Sequence, residues 1–120
     1  MSLQDCYTAM EGNFEEVKGR LRSERMIQKF ALKFLSDGSY DNLCTALEEG
    51  DAETAFRAAH TIKGVCQNLS FTKLGKSSDE LTEALRGGIT PEARELAEVV
   101  KKDYQQTVSA IRQFESELNA

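Results

Sequence analysis

His60 is the only histidine in the chain, and near neutral pH its imidazole offers an uncharged, nucleophilic ring nitrogen. It stands in Ala58-Ala59-His60-Thr61-Ile62-Lys63-Gly64, with a lysine one helical turn on and a glycine beside that lysine. From Thr54 to Ser78 the chain carries four cations (Arg57, Lys63, Lys73, Lys76) and no carboxylate, although its formal net charge is −5. One imidazole in a stretch cleared of acid points to the handling of an anion. A phosphoryl group on that ring would bring nearly two negative charges and three strong acceptor oxygens, by analogy with other phosphorylated side chains. Lys63 offers them a mobile ammonium. Glycine in a helix interior costs about 1 kcal/mol against alanine. With no turn at Gly64 to explain that cost, a steric requirement does: space beside the reacting nitrogen for another protein's active site.

Each of these residues also has a plainer reading. A lone histidine is commonly a surface residue or a satisfied core residue, Lys63 alone would be a solvated helix residue, and Gly64 alone could serve close helix packing. It is their combination at one helical spacing that favours phosphoryl chemistry. On a helix, positions three, four and seven apart share a face, so His60 shares its side with Phe56, Arg57, Lys63, Gly64 and Gln67. Arg57 and Gln67 are candidates for partner docking, and Phe56 is either an edge core residue or an exposed anchor for a partner. Lys73 and Lys76 read as contributors to a field that steers an acidic partner. Cys66 lies on the buried seam of the same helix and reads as packing.

The bulk properties bound the alternatives. A chain of 120 residues fits one domain with its own core. A hydrophobic fraction of 40% and a charged fraction of 29% suit an ordinary globular protein. The acidic balance argues against nucleic acid. No apolar run nears the roughly 20 residues that span a bilayer, and no signal peptide is visible, so a cytoplasmic location is expected. The odd, scattered Cys6, Cys44 and Cys66 read as free thiols and not as a disulfide framework or metal site.

The elements that must position His60 are helical throughout. The stretch from Leu3 to Arg20, interrupted by Gly12 and Gly19, predicts one or two short helices packed on the outside (residues 1–22), followed by the main bundle (residues 23–120). Ser23 caps a helix to about Leu35 with Met26, Ile27, Phe30 and Phe34 on one face, and Asp37-Gly38 ends it. Ser39 restarts a helix with Leu43, Ala46 and Leu47, which Gly50 stops. Asp51 then caps the best-patterned helix, about Ala52 to Leu69, where Ala52, Ala55, Ala59, Ile62, Cys66 and Leu69 form a buried seam. His60 falls on the flank of that seam. A further helix runs from after Ser70 to about Arg86 with Leu74, Ser78, Leu81 and Leu85. Gly87-Gly88 ends it, and Thr90-Pro91-Glu92 starts a last helix to about Leu118. No alternating strand pattern of adequate length exists. The expected fold is all-α, an antiparallel up-and-down four-helix bundle with additional short N-terminal helices.

The run His60-Thr61-Ile62-Lys63-Gly64-Val65-Cys66-Gln67-Asn68-Leu69, followed by Phe71 and Leu74, resembles the histidine-containing phosphotransfer (HPt) domains of bacterial and fungal phosphorelays. The family pattern is histidine, any residue, aliphatic, lysine, glycine, small. The resemblance covers about Phe30 to Leu118. It implies that His60 is the phosphoryl acceptor and donor, through the ring nitrogen farther from the backbone. Lys63 would steady the phosphoryl group and Gly64 would open the approach. Val65 stands where serine or alanine is usual, and Ser70 where glycine is common. Members often hold the other ring nitrogen with a glutamine or acid on the following helix. Here that position falls near the shorter Thr82, with Arg86 one turn later at the same surface.

The resemblance further implies receiver domains of response regulators as partners, with a hybrid sensor histidine kinase as another. Mg²⁺ belongs to the receiver, and this chain has no cofactor of its own. A monomer is expected. With no nucleotide-binding loop or second histidine, the chain should not act as a kinase or phosphatase by itself. The competing reading is a helical module that docks receivers, or another helical partner, without accepting phosphate. An enzyme with His60 as general base is weaker, because it needs a substrate pocket.

Overall fold

A computed structural model describes the whole chain, Met1–Ala120. Seven helices follow one another: α1 (Leu3–Met10), α2 (Phe14–Leu21), α3 (Glu24–Phe34), α4 (Ser39–Glu49), α5 (Ala52–Leu69), α6 (Thr72–Leu85) and α7 (Pro91–Leu118). Most start where a short polar side chain can accept from an orphan amide of the first turn. Asn13, Ser23, Asp51 and Thr90 each accept from the backbone N–H three residues on. Ser2 and Asp5 form a reciprocal capping box.

Helices α4 to α7 form the antiparallel bundle, since linkers as short as Gly50-Asp51 and Ser70-Phe71 leave no room to cross over. Buried Ala55, Ala59, Ile62, Cys66 and Leu69 place the inner face of α5 against its neighbours, as the seam predicts. At 28 residues α7 is about 42 Å long by helix geometry. That matches the 42 Å long axis of the molecule, so α7 backs the bundle along its full length.

The N-terminal segment does more than coat the outside. Cys6, Tyr7 and Val17 are fully buried, and Leu3, Met10 and Phe14 join the same core cluster as the bundle residues. Residues 1–22 therefore pack on the bundle and share its core. One expected face position turns outward: Met26 is 39% exposed, because Ile27, Ala31 and Phe34 set the inner face of α3; Leu118, in the last turn of α7, is 46% exposed.

The N-terminal helices also finish α5. The last carbonyls of a helix have no partner within it. Here Cys66 O accepts from Phe71 N, Gln67 O and Asn68 O from the Arg20 guanidinium at 2.9 and 2.8 Å, and Leu69 O from the buried Tyr7 hydroxyl at 2.7 Å. Ser70 holds a left-handed conformation (φ 57°), which accounts for the glycine common at this position. Its hydroxyl donates to Glu16 (2.7 Å) and accepts from Arg20 (3.0 Å), and its carbonyl accepts from Asn13 N (2.8 Å). These bonds offset the strain of a side chain there.

Candidate phosphoryl-accepting site

His60 is exposed on the outer face of α5, with buried Ala59 and Ile62 behind it. One turn before it, the Phe56 ring lies nearly parallel to the imidazole, centroids 6.1 Å apart and planes 6° apart. The Arg86 guanidinium reaches across from α6 to within 4.9 Å of the Phe56 ring centre, its Nε donating to Glu83 at 2.9 Å. One turn after His60, Lys63 keeps only 22% of its side chain exposed and pairs through Nζ with Asp79 Oδ1 of α6 at 2.9 Å. Gly64 is exposed, and a methyl group added there would meet nothing within 4 Å. No neighbour inside the molecule requires this glycine. Arg57, exposed, pairs with Glu53, and Gln67 is exposed further along the same face.

The geometry thus gathers Phe56, Arg57, His60, Lys63, Gly64 and Gln67 on one side of α5, with Arg86 beside them. It does not bring Thr82 there. Thr82 is fully buried, and its hydroxyl donates to Ser78 O at 2.7 Å within α6. The expectation that Thr82 docks a partner or steadies the imidazole is therefore corrected. Its level along the bundle suits His60, but α6 turns Ser78, Leu81, Thr82 and Leu85 inward. The ring contact on His60 comes from Phe56 instead.

The acid-free stretch is also corrected in three dimensions. Glu53, Asp79 and Glu83 all lie outside residues 54–78, yet each bonds a cation of this surface. Lys73 leaves the steering set altogether. Its ammonium binds Glu11 (2.8 Å) and Gln106 (3.0 Å), tying the α1–α2 turn to α6 and α7 and holding the Glu11 carboxyl below its usual range.

His60 lines neither of two grooves near its helix. One of about 450 Å³ lies between Ala52, Phe56, Leu85 and Arg86, and another of about 440 Å³ between Phe30, Phe34, Val65 and Leu69. An imidazole on a convex helix is reachable by a protein surface rather than enclosed around a small substrate. No three His, Cys, Asp or Glu side chains converge as a metal ligand set. Burial pushes the Cys6 thiol up to about 11 and raises Cys66 further, so both stay protonated packing groups near neutral pH. No helix is long and apolar enough to cross a membrane.

An exposed imidazole on the second helix of a four-helix bundle, with an ammonium one turn on and bare backbone beside it, is the arrangement that the resemblance to phosphotransfer domains implies. The model of the Hpt domain family matches residues 36–114, well over half of the chain. The chain belongs to the Hpt domain family, whose members carry out phosphotransfer in two-component signalling. The match spans α4 to α6 and most of α7, and leaves α1, α2 and α3 outside. Comparisons with curated proteins and with solved structures return no match.

Proposed function

We propose that this chain is a phosphorelay intermediate: His60 accepts a phosphoryl group from the aspartate of a receiver domain and returns it to such an aspartate. The lone pair of the ring nitrogen farther from the backbone forms the N–P bond. The P–O bond to the receiver aspartate breaks, its electron pair leaves as carboxylate, and the proton on the nearer nitrogen stays on the ring. Return runs the same path backward. The observation that carries this reading is the exposed His60 with open space at Gly64, so that a receiver's acidic pocket can close over the nitrogen without meeting a side chain.

Lys63 contributes its ammonium to the phosphoryl oxygens, and Phe56 holds the ring plane. Arg57, Gln67 and Arg86 form the rim that the receiver touches, with Phe56 as its apolar centre. The receiver supplies Mg²⁺ and most of the catalysis, while this chain supplies nucleophile, position and charge and needs no cofactor. In this account it works as a cytoplasmic monomer between receivers, one of them carried by a hybrid sensor kinase.

Incubation with a phosphorylated receiver should yield an acid-labile, alkali-stable phosphoryl adduct on the native chain and none on His60→Gln. Equal labelling of both proteins would overturn the proposal. Binding of the receiver with no label on either would instead favour a module that only docks.

A further inference from the structure

Lys63 is not idle before phosphate arrives. Its side chain is largely covered, and its ammonium is already held at 2.9 Å by Asp79, a half-exposed carboxylate from the neighbouring helix. A phosphoryl group on His60, one turn away, must draw on this same ammonium while meeting the charge of the carboxylate that holds it. We propose that Asp79 is a positioning residue that competes with the phosphoryl group for Lys63 and thereby keeps the phosphorylated state of His60 high in free energy, ready to give the group away. This inference rests on the phosphorelay reading of His60 and deepens it.

The physical argument has two parts. An ammonium has three donors, so Lys63 can bridge the carboxylate and the phosphoryl oxygens, but its single charge is then shared between two anions. Phosphorylation therefore brings a doubly charged group beside a half-neutralised cation. Asp79 also fixes the stem of Lys63 on the α6 side of the imidazole, so the ammonium is placed in advance. Neutralising Asp79 while keeping its shape should let Lys63 serve the phosphoryl group alone. The phosphorylated form then gains, and onward transfer becomes less favourable.

The test is the equilibrium of phosphate between this chain and one receiver, measured for the native protein, Asp79→Asn, Lys63→Met and the double variant. For a half-exposed pair the phosphate ratio should move about two- to fivefold toward His60 in Asp79→Asn, with slower release to the receiver. In the Lys63→Met background the Asp79→Asn change should have a clearly smaller effect, that of direct charge repulsion alone, which a merely structural role would not predict. Asp79→Glu should return the ratio toward the native value. An unchanged ratio in Asp79→Asn, or the same shift with and without Lys63, overturns the inference. If the native chain takes no phosphate on His60, the phosphorelay reading itself fails. If it does and only the Asp79 variants behave as native, the inference alone fails.

Discussion

Gly64 separates what the residue does for the fold from what it does for the site. It sits exposed within α5, where an added methyl meets nothing within 4 Å, so Gly64→Ala should stabilise the protein by up to about 1 kcal/mol. The same methyl would project from the face that a receiver must cover to reach His60, and transfer from a receiver should slow by roughly tenfold. Thermal unfolding and transfer rates on one preparation check both signs, and a stabilised variant with native transfer would contradict the role given to Gly64. Thr82→Val should leave transfer at the native rate, since its hydroxyl is spent on Ser78 O inside the core. The motif residues were legible in the sequence because three-and-four spacing alone puts them on one face. The residues opposite them were legible in level and not in facing. Lys63 and Asp79 each lie eight residues from Phe71, Phe56 and Arg86 fifteen, and His60 and Thr82 eleven, as antiparallel helices hinged at one turn require. Level along the hairpin thus pointed to Thr82, but the inward stripe of α6 runs through it and leaves Asp79, Glu83 and Arg86 outside.

Among the elements, α5 is the one whose ends were hardest to foresee. Its start and seam follow from Asp51 and the alanine-rich stripe, but its C-terminus is completed by residues about 50 positions away in sequence. No local pattern announces that Arg20 and Tyr7 will bond the carbonyls of Gln67, Asn68 and Leu69. Tyr7→Phe leaves a buried carbonyl without its donor and should cost about 1–2 kcal/mol in urea unfolding. Gly12→Ala should do worse, because its methyl would lie 2.8 Å from both Ser70 O and the Tyr7 ring, and backbone must move to admit it. A Gly12→Ala protein as stable as the native one would contradict the close seating of the α1–α2 turn on the bend after α5. In the sequence Gly12 shows only as a helix interruption, since close approach of a distant backbone leaves no trace in periodicity.

At the scale of the whole molecule, α1 to α3 and the four bundle helices share one core, so the chain should unfold as one unit. That core holds protonated groups that resist ionisation. Burial pushes Cys6 from an ordinary 9.0 to about 11, and raises Cys66 and Tyr7 as well. The folded chain therefore keeps protons that the unfolded chain releases, so their contribution is fully present below about pH 9. It is lost as pH rises through about 11 for Cys6 and beyond for the other two. Urea midpoints at pH 8 and pH 10.5 should fall accordingly, and a flat profile would contradict the burial of these groups. The central claim is that the phosphoryl group resides on the outward ring nitrogen of His60. Because the chain has one histidine, a ¹⁵N–³¹P correlation spectrum of the labelled protein after exposure to a phosphorylated receiver reports it without ambiguity. The account predicts a phosphorus coupling to the imidazole nitrogen farther from the backbone. Phosphate retained by the chain with both imidazole nitrogens unchanged would contradict it.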